Sequence, residues 1–313
     1  MSNPRSFWRL LLPRLLQAIV VIWVVVTIVF FVTRLTGDPI TFLAPVSASQ
    51  ADIEQIKDAN HLNDPLPSQY VRFLWDAARL DLGNSFRTGQ PAFQEVRSRL
   101  IPTAQLSAAA ITFSLVFGVS IGTLSAVMRG TPVDLLARMI ALLGQATPNF
   151  WLGIMLILFF SVKLDLLPTG GNTSKTSLIL PALTLGSASS ASIIRLTRSG
   201  MLDVLRSDFV RTARAKGVPE HLIIWRHTLR HALLPVLTVL GIQVGFVLSG
   251  SIVVETVFSW PGMGRLMIQS INSSDYPVVQ TGVMLTAIMI VTANFIVDVC
   301  YALLDPRISS SAV

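Results

Sequence analysis

The chain has 313 residues, of which 52% are hydrophobic and only 13% charged. Soluble domains carry about 25% charged residues, so this composition excludes an ordinary soluble enzyme and points to a bilayer. The net charge of +7 would suit nucleic acid only on a basic soluble face, whereas here most of the excess sits between apolar runs, where positive loops beside membrane spans account for it. One cysteine, Cys300, excludes a disulfide framework, a thiolate zinc cluster and an iron–sulfur site held by this chain alone.

A helix rises 1.5 Å per residue, so about 20 apolar residues cross a bilayer core. Six uncharged windows meet that length: Leu15–Thr33, Leu100–Met128, Met139–Val162, Thr176–Ile194, His231–Val254 and Tyr276–Val297. The expected fold class is therefore an all-α integral membrane protein with six transmembrane helices. The first window is too long for a typical signal h-region and lacks a small-residue cleavage site, so residues 1–33 read as a retained anchor. The fourth window, rich in Ser and small residues, reads as a span packed inside a bundle. Arg5, Arg9 and Arg14 place the amino terminus in the cytoplasm, and six spans return the carboxyl end there. Residues 195–231 then fall on the cytoplasmic side with eight Arg or Lys, while residues 34–99 fall outside with seven basic and eight acidic residues.

Residues 34–99 read as a helical extracytoplasmic cap. Ser49 suits the cap of a short helix with Asp52 and Glu54 in its first turn, stopped by Pro65 and Pro67. "SQYVRFLWDAARL" reads as a second, amphipathic helix whose stripe Tyr70, Phe73, Leu74 and Ala77 serves packing. "DLGNSFRTGQPAF" is turn-rich. In the second window Gly118-x3-Gly122, and in the fifth Gly241-x3-Gly245, give flat faces for close helix packing. The third window holds "GQATPNFW". Pro148 inside a helix removes a hydrogen bond, so its surroundings should be protein or a wet cavity. Gln145, Thr147 and Asn149 are thus candidates for lining a polar pathway, with plain helix–helix hydrogen bonding as the equal alternative.

No G-x4-G-K-[ST] phosphate loop, H-E-x-x-H pair or G-x-S-x-G elbow occurs. His227 and His231 are four apart, yet Arg226 and Arg230 beside them repel a cation and no third ligand is evident. Neither a metal site nor a catalytic set is expected. Asp298, near the inner end of the sixth window, and Glu255, at the outer end of the fifth, read as packing or solvated carboxylates. An ion- or proton-coupled secondary transporter, the alternative function, needs ionisable groups at mid-membrane, and the windows offer essentially only Asp298.

The segment "DFVRTARAKGVPEHLIIWRHTLRHALLP", residues 208–235, stands out. Leu202, Leu205, Phe209 and Ala213 recur at spacings of three and four, giving an amphipathic helix over 202–216. Gly217 suits its C-terminal cap, and Pro219 with Glu220 suits the first turn of a second helix running into the fifth window. A charged helix–turn–helix on the cytoplasmic side fits an anchor on anionic lipid or, better, a docking site for a cytoplasmic partner.

This hairpin resembles the cytoplasmic signature of ABC importer permeases. Only Ala213 and Gly217 match the generic E-A-A-x3-G pattern, with Arg211 where the acid stands. "FVRTARAKG" and "RHTLRHALLP" are similar to the dipeptide/oligopeptide/nickel branch. So are "RLLQAI", "TRLTGDP", "DLGNSFRTGQP", "RLIPTAQLSAAA", "TPNFWLGIMLI", "ETVFSWPGMGRL" and "DPRI", in that order. The resemblance implies a type I ABC importer permease fold, with one added N-terminal helix before a five-helix core. It divides the chain into residues 1–33, the cap at 34–99, the core at 100–304 with a coupling hairpin at 198–230, and a tail at 305–313. It also implies a homologous second permease, two ATPase subunits that bind ATP and Mg, and an extracytoplasmic substrate-binding protein, in the cell inner membrane. Arg211, Thr212, Ala213, Arg214, Ala215, Lys216 and Gly217 would enter a cleft on an ATPase, and the chain itself would bind no cofactor and hydrolyse no ATP.

Overall fold

The computed structural model describes residues 4–36, 49–59, 61 and 63–304. The tail at 305–313, residues 37–48 and the side chains of Asp298 and Leu234 lie outside the described residues. Everything with regular structure among the described residues is helical apart from one isolated bridge, Asn84 to Pro91. The chain divides into two compact units, one drawn from residues up to Ile101 and Gly262–Phe295, the other from Pro102–Pro261 and Ile296 onward.

In the first unit, α1 (Pro4–Thr36) carries the first apolar window. After it come α2 (Gln50–Ala59) and α3 (Leu66–Ala78). Ser49 and Asp52 cap α2 reciprocally: the Asp52 N–H donates to Ser49 Oγ at 3.3 Å, and the Ser49 N–H and O–H donate to Asp52 Oδ2 at 3.0 and 2.7 Å. These bonds hold the Asp52 carboxyl below the usual carboxylate range. The prolines act differently from the sequence expectation. Helix α2 is described to Ala59 and His61 already stands in a turn with φ +56°, four residues before Pro65, while Pro65 is the N-cap of α3 and Pro67 lies in its first turn, where a missing N–H costs nothing.

Helix α3 lies on α1 through the expected stripe. Phe30 is fully buried between Tyr70 and Phe73, each 5.2 Å away between ring centroids, and Val26 and Ala77 pack with Met284. The Thr27 hydroxyl donates to Trp23 O at 2.8 Å, so the Tyr70 hydroxyl, 2.7 Å away, donates to Thr27 Oγ1. The turn-rich loop after α3 is gathered by the buried Asp275, whose carboxylate accepts from Ser85 Oγ and, at 3.0 Å, from the Phe86 N–H.

Helix α4 (Ala92–Val127) passes from the first unit into the second. In the second unit follow α5 (Pro132–Ala146), α6 (Asn149–Leu156) with a π-helical continuation Ile157–Lys163, and α7 (Ile179–Leu205). The third window is thus not one helix. Pro148 forces the preceding Thr147 into an extended conformation (φ −83°, ψ 124°), and α5 and α6 diverge by 110°. The proline breaks the element instead of kinking it.

Beyond α7 come α8 (Asp208–Ala215), α9 (Glu220–Leu222), a π-helical stretch Ile223–Thr228, α10 (Leu229–Ala232) and α11 (Leu234–Val257). The first unit then supplies α12 (Met263–Asn272), and α13 (Tyr276–Leu304) ends the described chain. Among the described residues α1, α4, α7 and α13 are long and apolar enough to cross a membrane. Two bent pairs, α5 with α6 and its continuation, and the segment from Glu220 to Ala232 with α11, raise the number to six if each pair is one span.

Small residues set the close packing in the second unit. A Cβ on Gly118 would sit 2.6 Å from Ile193 Cγ2, and one on Gly122 2.7 Å from Ile194 O, so the Gly-x3-Gly face of α4 lies directly on α7. Gly186 of α7 answers it, with Ala110 O 2.7 Å from the position its Cβ would take. Gly241 of α11 faces Val297 at 2.9 Å.

Candidate functional site

Helix α7 leads straight into the charged segment. The chain leaves it at Arg206 and Ser207, whose N–H groups donate to Asp203 O and Val204 O, and Ser207 (φ −70°, ψ 154°) is the N-cap of α8. The expected single helix over 202–216 is therefore two, because Ser207 takes an extended conformation and starts a new helix with Asp208 in its first turn. The facing also differs from the expected stripe. Val210 is the buried residue of α8, whereas Phe209 is exposed and meets the His231 ring edge-on at 5.4 Å.

The end of α8 is closed as its sequence predicts. Gly217 has φ +75°, a conformation that favours glycine. Its N–H donates to Arg214 O at 3.0 Å and the Val218 N–H donates to Ala213 O at 3.1 Å, the double closure of a Schellman motif. Pro219 is the N-cap of α9, one position earlier than expected. Across the turn the Arg214 guanidinium grips Glu220 through Nη2 to Oε1 at 2.6 Å and Nε to Oε2 at 3.2 Å. The two arms are thus tied at the cap, at the Arg214–Glu220 fork and at Phe209–His231. Of the seven sequence-selected residues, Arg211, Thr212, Arg214, Ala215, Lys216 and Gly217 are exposed and Ala213 is half-buried. The structure brings them together on one short basic ridge.

The second arm is irregular. Its π-helical turn over Ile223–Thr228 precedes a 47° bend into α11, whose first turn carries Pro235. Inserted π turns recur at functional sites and let neighbouring turns slip.

Behind the ridge lies a feature the sequence reading missed. Asp134, in the first turn of α5, is 1% exposed. Arg198, two turns before the end of α7, clasps it with Nε to Oδ1 at 2.8 Å and Nη2 to Oδ2 at 3.0 Å. Ser125 Oγ of α4 donates at 2.7 Å and the Gly130 N–H at 3.1 Å, so every donor converges on one carboxylate. Arg138 adds a weaker contact at 3.6 Å. The group joins α4, α5 and α7 at the end of α7 that feeds the ridge. In sequence Asp134 stands between Arg129 and Arg138, and nothing local names Ser125 or Arg198 as its partners. The available signal was a carboxylate at the start of an apolar helix, just after Gly130-Thr131-Pro132.

Of the two sequence readings of Glu255, packing or solvated, the structure shows the first: it is fully buried near the end of α11 and accepts a hydrogen bond from Thr103 Oγ1 at 2.7 Å. Nearby Trp260 is buried and donates Nε1–H to Pro102 O at 2.9 Å, which ties the turn after α11 to α4.

The three pathway candidates do not converge on each other. Gln145 is exposed and its Oε1 accepts from Arg195 Nη1 of α7, Thr147 donates to Leu143 O at 2.7 Å, and half-buried Asn149 opens α6. They flank the α5–α6 break. His227 and His231 diverge in role, since His231 is engaged with Phe209. Among the described residues no three His, Cys, Asp or Glu groups are placed to hold a metal ion.

The region therefore presents an exposed basic ridge on two arms tied across their turn, with the buried Asp134–Arg198 pair near the end of α7. Residues 118–310 match the family described as binding-protein-dependent transport system inner membrane component. The glutathione transport system permease protein GsiC of Pectobacterium atrosepticum is 43% identical over 296 residues, covering 94% of this chain and 97% of that protein. The protein of the same name from Escherichia coli K12 is 42% identical over the same coverage. Two structures of the MetNI methionine ABC transporter in inward-facing conformations share the fold. Their TM-scores are 0.58 and 0.55 at 18% and 19% identity, and they cover 68% and 67% of this chain and 97% and 96% of theirs. A family model spanning well over half of the chain, and relatives matched nearly end to end, agree with the hairpin at its centre: the chain belongs to the binding-protein-dependent inner membrane components, as an ABC importer permease of the peptide branch.

Proposed function

We propose that the chain is one of two homologous permease subunits of an importer, crosses the inner membrane six times, and keeps both ends in the cytoplasm. Two partner ATPase subunits bind ATP and Mg and hydrolyse the nucleotide, and a binding protein delivers cargo from the other side. The relatives' name supports glutathione or a comparable short peptide-like solute as that cargo. In this reading residues 1–33 add a helix to a core at 100–304, residues 34–99 form the external cap, and 305–313 are a cytoplasmic tail. Gln145, Thr147 and Asn149 border the pathway where the α5–α6 break frees backbone groups that need polar neighbours.

The observation that carries the reading is the ridge Arg211–Gly217. Its residues are almost all exposed, while the turn holding them is closed by the Gly217 cap and the Arg214–Glu220 fork. The ridge docks in a cleft of an ATPase, and ATPase closure pushes on α7 through it. The Arg198–Asp134 clasp resists that push, so movement passes to α4 and α5 together.

The test uses the assembled importer in proteoliposomes. Gly217→Pro cannot adopt φ +75° and disrupts the cap. The variant is expected to insert normally, lose cargo uptake, and lose stimulation of ATP hydrolysis by loaded binding protein. Wild-type uptake by a properly inserted Gly217→Pro importer would overturn the docking role.

A further inference from the structure

Helix α3 presents an apolar arc wider than α1 covers. At about 100° per residue, Phe73, Ala77, Tyr70, Leu74, Ala78, Val71 and Trp75 follow one another around the helix, and Gln69, Asp76, Arg72, Arg79 and Ser68 fill the remainder. Only the first half of the apolar arc meets α1, through Tyr70, Phe73, Leu74 and Ala77. Val71 is 66% exposed and Trp75 59% exposed. Val71 and Trp75 thus form two large exposed apolar neighbours beside the face that Ala77 buries.

The depth of α3 is set by what it touches. Its polar and aromatic contacts on α1 are with Thr27, Phe30 and Phe31, near the end of the apolar window Pro13–Thr33, and Val26 and Ile22 share its apolar cluster. Thr27 lies six residues from Thr33, about 9 Å along the helix. Amphipathic helices lying in a bilayer interface bury their apolar face about 5–10 Å into the boundary of headgroups and acyl chains. On α1 itself Ile28, Phe31 and Val32 are exposed at that level, so the uncovered arc of α3 continues a lipid-facing surface already present. The edge residues suit such a boundary: the Arg79 guanidinium carbon lies 4.4 Å from the Trp75 ring centre, and Arg72 is 3.6 Å from Asp64.

We infer that α3 is an interfacial helix, with Val71 and Trp75 seated among acyl chains of the bilayer leaflet at the carboxyl end of α1 and the Arg72–Arg79 edge among headgroups. This surface is then unavailable as a landing place for the binding protein. The inference rests on α1 crossing the membrane, and it is independent of the docking role given to the α8 ridge.

The test is nitroxide accessibility in the complete importer in nanodiscs, in a Cys300→Ser background. Val71→Cys, Trp75→Cys and, on the polar arc, Arg72→Cys are labelled one at a time. Collision with molecular oxygen, which concentrates in acyl chains, is compared with collision with a water-soluble nickel chelate. Oxygen should dominate at 71 and 75 and the chelate at 72. Chelate access at 71 and 75 equal to that at 72 would place the arc in water. Shielding from both reagents would place it under another protein. Either result overturns the inference. Quenching of Trp75 by brominated lipid, taken as the difference between the native chain and Trp75→Phe, gives the same reading without a label. Uptake by the same samples reports separately on the importer function.

Discussion

Helices α1 and α7 divide the work of a membrane protein in opposite ways. Of the straight candidate spans α1 is the most apolar and α7 the least, yet only 11% of the α1 window is buried inside the protein against 67% for α7. In water the greasier helix would be the inner one. In a bilayer lipid tails are as apolar as leucine, so hydropathy selects the helix that faces lipid, and small residues with well-placed polar groups select the one that faces protein. Helix α7 meets α4 through Gly186, Gly118 and Gly122, and three of its hydroxyls bond their own backbone: Thr184 to Leu180 O at 2.8 Å, Ser187 to Thr184 O at 2.9 Å and Ser190 to Ser187 O at 2.7 Å. Helix α1 presents Leu15, Leu16, Ile19, Val20 and Trp23 outward.

The sharpest way to break this contrast is to add volume to each helix. Gly186→Val places a Cβ 2.7 Å from Ala110 O and 2.8 Å from Phe113 Cδ1, distances that require backbone movement. Overpacking a close-packed site costs about 1–3 kcal/mol and more when backbone must shift. The variant is expected to yield aggregated or absent protein in fluorescence-detected size-exclusion chromatography of detergent extracts. Val20→Leu on α1 adds volume on an exposed side chain and should leave the elution profile unchanged. Equal damage from both would mean that the exposed face of α1 is covered in the assembled protein.

The sequence made much of this legible. Four of the six apolar windows as long helices, the Ser-rich fourth window as an inner one, the Gly-x3-Gly face of α4 and the Gly217 cap all follow from local rules about length, side-chain size and φ. What stayed hidden depends on convergence from distant positions. Pro148 announced a defect, but only Thr147 turning extended decided between a kink and a 110° break. Asp134 acquires its meaning from Ser125 and Arg198, and Glu255 from Thr103, partners no window links. Phe209 fitted a helical stripe, yet the break at Ser207 resets the phase and turns Val210 inward.

The Asp134–Arg198 clasp gives the next effect. Breaking a buried ion pair from one side costs about 3–5 kcal/mol, because the remaining charge loses its partner in a low dielectric. Arg198→Met leaves the Asp134 carboxylate with only Ser125, Gly130 and the distant Arg138. Its melting temperature in detergent should fall clearly, and Asp134→Leu with Arg198→Met should recover part of the loss. If the double variant is worse than the sum of the singles, the pair does not act as a unit. Such a clasp lends α7 the anchorage that its modest hydropathy does not.

The smallest expected effect on stability concerns the other bidentate pair, Arg214–Glu220, and it separates holding the fold from transmitting force. Its side chains are 44% and 55% exposed, against 23% and 2% for Arg198 and Asp134. Exposed pairs contribute about 0.2–1 kcal/mol, so Arg214→Gln should move the melting temperature little. The pair nevertheless spans the turn that presents the ridge, where the Gly217 cap and the Phe209–His231 contact also join the two arms. Arg214→Gln is therefore expected to lower uptake per ATP hydrolysed far more than it lowers stability, and the exchange Arg214→Glu with Glu220→Arg tells why. If the turn's rigidity matters, the exchange restores uptake, since the fork is rebuilt with its charges reversed. If the positive charge at 214 itself touches the ATPase, the exchange stays defective although the fork is whole. Coupling that survives all three substitutions would show that force enters α7 elsewhere than at this turn.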